Sequence, residues 1–269
     1  MPLVTNNLIV KNELPLVYAD TNENRLISLY LDMVRKSVLG LIVEDPNIGV
    51  FGSKEFSPDA RENGGDWPSL AHSMIGNKRM INIQEVAKIV ISDNIDGDFA
   101  ETGVWRGGAC IFMAAIARAY NLNKKVWVCD SFEGLPKPSD DYPQDSGDVH
   151  HTHKEHLGVS LEQVKRNFEK YDLLSDKIEF IKGFFSDTLP TAPIEKLSIL
   201  RLDGDMYEST IVALRSLYDK VESGGFIIVD DFNLASCSKA ITDFSVERDD
   251  DFYAKMIKID GSAQYWRKD

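Results

Sequence analysis

Four carboxylates at the ends of two apolar runs are the residues whose types and spacing best suit chemistry. Leu197-Ser-Ile-Leu-Arg-Leu202 leads into Asp203-Gly204-Asp205, and Gly225-Phe-Ile-Ile-Val229 leads into Asp230-Asp231. Runs this short, rich in leucine and β-branched residues and followed at once by polar ones, read as buried strands of a parallel sheet. With the chain extended through Gly204, strand alternation places Asp203 and Asp205 on one side, so that four acids meet above two strand ends. Two like charges ~4 Å apart repel by about 4 kcal/mol at an effective dielectric of about 20. Such a set takes up protons or a cation. Oxygen donors without thiols suit Mg²⁺, Ca²⁺ or Mn²⁺. Acids at these places also serve as helix N-caps and loop ends, but two pairs on successive strands, at the edge where open α/β sheets bind ligands, favour a site.

A second group surrounds a glycine turn. Gly97-Asp-Phe-Ala-Glu101 reads as a strand, Thr102-Gly103-Val-Trp105-Arg-Gly107-Gly108 as a turn, and Ala109 to Tyr120 as an apolar helix. A turn without Cβ atoms lets the backbone approach a ligand, and the helix N-terminus favours an electronegative group. The dinucleotide fingerprint is absent, because Trp105 stands where it needs glycine. The next strand, Lys125-Val-Trp-Val-Cys129, ends in Asp130-Ser131-Phe132, where an acid can bind ribose hydroxyls. A further glycine, Gly183, ends the strand Lys177-Ile-Glu-Phe-Ile181 and precedes Phe184-Phe185. Two phenylalanines there can equally pack a core.

These groups need elements to position them. From Thr21, the spacing of Leu26, Leu29, Tyr30, Met33 and Val34 predicts a helix capped by Asn22 or Asn24. Residues 1–20 suit an arm or a short extended segment, and residues 40–65 an irregular connector or flap. A helix carrying Ile81, Ile83, Val86, Ile89 and Val90 follows. Residues 133–156 lack periodicity and read as a lid. His150, His151, His153 and His156 lie there; they can be metal donors, but a solvated lid is favoured, since unframed loop histidines must be ordered before they ligate. Ser160-Leu-Glu-Gln163 is a capping box opening a helix to Tyr171. The runs Phe252–Ile259 and Ser262–Trp266 around Asp260-Gly261 predict a hairpin. The expected architecture is a mostly parallel α/β sheet finished by an antiparallel hairpin. An N-terminal helical extension, residues 1–92, covers a Rossmann-like catalytic domain, residues 93–269.

Composition narrows the partners. The 269 residues, 43% hydrophobic and 27% charged, are ample for a core. A net charge of −13 without a basic block argues against nucleic acid. Cys110, Cys129 and Cys237 are odd in number and widely separated, which argues against a disulfide framework. No leader and no apolar stretch of membrane-spanning length is evident, so no membrane partner and a cytoplasmic location are expected.

Together Glu101-Thr-Gly-Val-Trp-Arg-Gly-Gly108, Asp130-Ser-Phe-Glu-Gly-Leu-Pro136, Gly183-Phe-Phe-Ser-Asp-Thr-Leu-Pro190, Leu202-Asp-Gly-Asp-Met-Tyr-Glu-Ser209 and Val229-Asp-Asp-Phe232 resemble the macrocin O-methyltransferase (TylF-like) family. Asp66-Trp-Pro68 and Ala71-His-Ser-Met-Ile-Gly-Asn-Lys-Arg79 add to the likeness, which spans about residues 60–235. The resemblance implies a class I methyltransferase fold using S-adenosylmethionine and Mg²⁺ or another hard divalent cation. It also implies a glycosylated or polyhydroxylated small-molecule acceptor and a homodimer or higher homo-oligomer. By position it implies Glu101, Gly103, Trp105 and Gly107 in the cofactor turn, and Asp130, with Ser131 and Phe132, at the ribose. Ser73, Met74 and Ile75 would lie at the methionine end, and Gly183, Phe184 and Phe185 by the adenine. Asp205, Asp230 and Asp231 are implied as metal ligands and Asp203 as general base. In the related catechol-type enzymes a strand-end aspartate ligates the metal and a lysine is the base. This segment has no lysine, so the acids can exchange roles. A nicotinamide-dependent oxidoreductase on a Rossmann-like fold and a non-catalytic binding protein are the competing readings; the missing fingerprint and the acid pairs count against the first.

Overall fold

The computed structural model describes residues 21–50 and 52–269. The arm expected over residues 1–20 lies outside the described residues. Seven strands form one sheet: β1 (Asp98–Thr102), β2 (Val126–Asp130), β3 (Ile178–Lys182), β4 (Leu197–Leu202), β5 (Val221–Val229), β6 (Ile257–Lys258) and β7 (Gln264–Arg267). Their order is β3-β2-β1-β4-β5-β7-β6. The first five are parallel, and β7 runs antiparallel to both β5 and β6. The sheet therefore reverses direction of growth between β1 and β4, and the acid pairs stand at the ends of the adjacent strands β4 and β5. This is where open α/β sheets leave a crevice for ligands.

Ten α-helices among the described residues accompany it: α1 (Asn22–Val38), α2 (Pro58–Asn63), α3 (Asn77–Ser92), α4 (Gly108–Ala119), α5 (Lys154–Leu157), α6 (Leu161–Glu169), α7 (Phe185–Thr188), α8 (Tyr207–Leu217), α9 (Ala235–Arg248) and α10 (Phe252–Lys255). Strands β1, β2, β4 and the second half of β5 are buried on both faces, as a covered parallel sheet requires. Phe99, Val126, Val128, Ile199, Phe226 and Ile228 face a core shared with α1, α3 and α4. Their neighbours Ala100, Trp127, Cys129, Leu200, Ile227 and Val229 face α8 and α9. Each fully buried Leu, Ile or Phe contributes about 1.5–3 kcal/mol of hydrophobic stabilisation, so neither face can be left uncovered.

Several local expectations change. Thr21 caps α1 by accepting from the Asn24 N–H at 3.2 Å, rather than either asparagine. The connector is not wholly irregular, since it contains α2, whose Arg61 is fully buried. The forked guanidinium of Arg61 grips Asp66 at 3.0 and 2.8 Å and donates to the carbonyls of Leu39 and Asp45. Asp45 in turn accepts from the Leu70 and Ala71 N–H groups at 2.9 and 2.7 Å. These polar anchors tie Leu39 and Asp45 to residues 61–71. The hairpin forms, but its first arm is mostly α10, with only Ile257–Lys258 in β6. Finally, β4 ends at Leu202 and Asp205 takes a left-handed φ of 56°. The chain thus turns at Gly204 instead of remaining extended.

Candidate active site

A cavity of about 550 Å³ opens over the strand ends β1, β2, β4 and β5, within the usual range for a small-molecule site. Its wall includes Ser73, Met74, Ile75, Glu101, Gly103, Trp105, Asp130, Ser131, Phe184, Phe185, Asp203, Asp205, Asp230 and Asp231, all of them singled out by sequence. Gly107, Phe132 and Gly183 stand behind the wall. Gly107 caps α4 with a φ of 84°, Phe132 packs its ring near Phe180, and the Gly183 N–H donates to the Asp130 carbonyl at 2.9 Å. Gly103 is required by the sheet itself: a Cβ there would come within 1.6 Å of the Asp203 carbonyl oxygen.

Asp130 organises the glycine turn from below. Its carboxylate accepts from the N–H groups of Val104 at 2.7 Å and Phe132 at 2.6 Å. Burial raises its pKa, while these backbone donors pull it down. Trp105 sits in the turn with φ 49° and donates its indole N–H to the His156 carbonyl at 2.8 Å. The turn thereby meets the segment expected to be a lid.

That segment is tied down at several points. The buried carboxylate of Asp145 accepts from the Tyr207 and Glu208 N–H groups at 2.7 and 2.9 Å, capping α8 from a distant part of the chain. Ser131 donates to the Gly134 carbonyl at 2.7 Å. The histidines do not gather round one point. His150 pairs with Asp148 at 2.7 Å and lines the cavity, whereas the rings of His153 and His156 meet Trp67 edge-on. Burial pulls the His150 pKa down, but Asp148 and the charge of Asp205 outweigh it and the net shift is upward.

At the acidic end, one oxygen each of Asp203, Asp230 and Asp231 lies within 4.8 Å of the others. Oxygens sharing one ion at ~2.0–2.6 Å are at most about 5 Å apart, so this triple fits a hard divalent cation. Asp205 is outside it, in the cavity wall, with its N–H donating to Asp231 at 3.2 Å. Burial and the charge of Asp203 push the Asp205 pKa up to about 7. Burial, then Asp205 and Asp203, push Asp231 well above the usual carboxylate range. The crowding expected from sequence is therefore present, with the turn at Gly204 changing which acids converge.

Sequence reasoning missed the counter-charges. Arg201, fully buried, extends its guanidinium to Glu101, Asp203 and Asp230, with Asp203 at 2.6 Å. Arg79 on α3 bridges Asp230 and Asp260, the latter at 2.7 Å. Glu101 also accepts from the Cys110 thiol at 2.8 Å. Burial raises the Glu101 pKa to about 7 against the pull of Arg201. One signal was available: Arg201 interrupts an apolar run with a charge, at the same strand parity as Asp203.

A seven-stranded, mostly parallel sheet with the cavity at its switch point is the class I methyltransferase fold, and solved structures agree. The O-methyltransferase NovP superposes with a TM-score of 0.85 at 44% identity, over 90% of this chain and 99% of that one. A calicheamicin methyltransferase, at 15% identity and a TM-score of 0.57, shares the fold over 93% of this chain and 94% of its own. The chain belongs to the macrocin O-methyltransferase (TylF) family, whose model matches residues 17–268, and it is a methyltransferase enzyme. It is 43% identical to the demethyldecarbamoylnovobiocin O-methyltransferase of Streptomyces niveus, over 94% of this chain and 98% of that protein. It is 41% identical to the mycinamicin III 3''-O-methyltransferase of Micromonospora griseorubida, over 90% of this chain and 97% of that protein.

Proposed function

We propose that the protein transfers a methyl group from S-adenosylmethionine to a sugar hydroxyl of a glycosylated natural product, with a hard divalent cation at Asp203, Asp230 and Asp231. The convergence of those three carboxylates beside a cavity carrying the cofactor-turn residues is the observation that supports it most. The relatives' named substrates, which include novobiocin and mycinamicin intermediates, support the acceptor class. In this reading Glu101, Asp130 and the backbone around Gly103 hold the cofactor, with Ser73, Met74 and Ile75 at its methionine end and Phe184 and Phe185 beside the adenine. The cation supplies Lewis acidity toward the acceptor oxygen.

Asp205 takes the acceptor proton. It lies outside the triple yet in the same wall, where it can meet the hydroxyl without surrendering its oxygens to the ion. The role assigned to Asp203 by resemblance thus passes to Asp205, and Asp203 joins the ligands. Holding oxygen, methyl carbon and sulfur in line supplies much of the rate, and residues 133–158 exclude water from the reacting atoms.

The test is methyl transfer followed by mass spectrometry over a panel of glycosides that includes demethyldecarbamoylnovobiocin and mycinamicin III. A gain of one methyl with at least one sugar-bearing acceptor, abolished by EDTA and restored by Mg²⁺, is expected. Transfer only to acceptors without a sugar contradicts the acceptor class, and EDTA-resistant transfer contradicts the cation.

A further inference from the structure

We propose that Arg201 is a positioning residue that couples the cofactor half of the cavity to its acidic half. The inference rests on the reading above that Asp203 and Asp230 belong to a cation site. Glu101 on β1 and Arg201 on β4 are register partners, so their side chains leave neighbouring strands on the same face of the sheet. Glu101, Asp203 and Asp230, all three in the cavity wall, come from the ends of three adjacent strands. A single guanidinium, with no exposure to solvent, receives them all.

Stability alone does not call for this arrangement. Buried ionic groups are often replaced by well-packed apolar ones with little loss, and the Arg201 Nε is buried without a hydrogen-bond partner among the described residues. What the planar fork provides is fixed relative position, since its N–H groups point in set directions that a lysine ammonium cannot reproduce. The second oxygen of Asp230 is taken by Arg79, which is anchored to Asp260 beyond β6. Asp230 is therefore held from both sides, as Glu101 is by Arg201 and the Cys110 thiol, and Arg201 is the group common to all three carboxylates. A ligand that draws on Glu101 changes how firmly Arg201 holds Asp203 and Asp230. A cation that draws on those two changes Arg201 at Glu101. Such linkage is reciprocal.

The experiment uses the full chain and needs no acceptor. Calorimetry measures S-adenosylhomocysteine affinity with and without saturating Mn²⁺, and electron paramagnetic resonance measures Mn²⁺ affinity with and without S-adenosylhomocysteine. In the wild type each ligand should change the other's affinity by about fivefold or more. In Arg201→Lys both affinities should weaken, and the mutual effect should fall below about twofold. Glu101→Gln provides a second reading should the lysine variant fail to fold. Glu101 is not in the acid triple, yet its loss should shift Mn²⁺ affinity, measured without cofactor, by about threefold or more, and this shift should vanish in a folded Arg201→Lys background. A folded Arg201→Lys protein with wild-type coupling overturns the proposal, as does unchanged Mn²⁺ affinity in Glu101→Gln. A wild type that binds Mn²⁺ without coupling overturns this proposal alone, whereas one that binds no Mn²⁺ overturns the cation site with it.

Discussion

Asp130 performs two tasks with one carboxylate. It accepts backbone N–H groups from Val104 in the glycine turn and from Phe132 beyond β2, and it lines the cavity, where the proposed function puts the ribose of the cofactor. Asp130→Ala should therefore weaken S-adenosylhomocysteine binding by about 1.5–3 kcal/mol, through lost charged hydrogen bonds and a loosened turn. Calorimetric affinity within twofold of wild type would refute the assignment. The acids and the turn were legible because each follows an apolar run, a pattern local in sequence. Arg201 and Arg79 were not, because only Asp203 lies near Arg201 in sequence, whereas Glu101 is 100 residues from Arg201 and Asp230 is 151 from Arg79. Asp66 finds its partner close by, at Arg61 five residues earlier. It belongs to a motif singled out for resemblance, but it grips Arg61 and leaves Trp67 to line the cavity.

Residues 133–158 are held to the rest of the molecule by side chains that no periodicity announces. Asp145 caps α8 across 62 residues of sequence, and Tyr142 lays its ring near that of Tyr207. Asp145→Ala should cost about 1 kcal/mol through the lost cap. It should also raise amide hydrogen exchange over residues 139–150 while leaving β1 and β4 protected. Equal exchange in the variant and the wild type would show that Asp145 does not hold the segment. The strands β1 to β5 were legible element by element, since each is a short apolar run ending in a polar or glycine residue. The first arm of the hairpin was misjudged because Asp251 caps α10 through the Ala254 N–H at 3.2 Å, turning a β-rich run into a helical turn. At the acidic centre, alternation failed at Gly204, where the chain leaves the sheet.

Across the whole molecule, α1 joins the main core through Leu31, Val34 and Val38, while Leu26, Leu29 and Met33 on its other side are 67%, 59% and 58% exposed. The segment that follows α1 carries a titratable link. His72 Nδ1 lies 2.9 Å from the Tyr171 hydroxyl and holds the N-terminal wall against the end of α6. Burial, then the charges of Lys170 and Arg106, depress its pKa to about 4. In the unfolded chain it titrates at about 6.5, so the unfolded state binds more protons between those values. Its contribution is complete above about pH 6.5 and is lost as the pH falls toward 4, by at most about 3 kcal/mol. Denaturant titrations at pH 7 and 4.5 should show the wild type losing more stability than His72→Gln. Parallel losses in both proteins would show that His72 does not carry this dependence.

The measurement that bears most directly on the acidic centre is Mn²⁺ binding, followed by electron paramagnetic resonance, to the wild type and to four single asparagine variants. Asp203→Asn, Asp230→Asn and Asp231→Asn should each weaken binding by about tenfold or more, because on the proposed reading each removes a charged ligand from a hard-cation site. Asp205→Asn should leave Mn²⁺ affinity within about threefold and lower turnover by roughly 10²–10⁴-fold, as loss of a general base does. A wild type that binds no Mn²⁺, or an Asp205 variant that loses it as severely as the other three, would contradict the account.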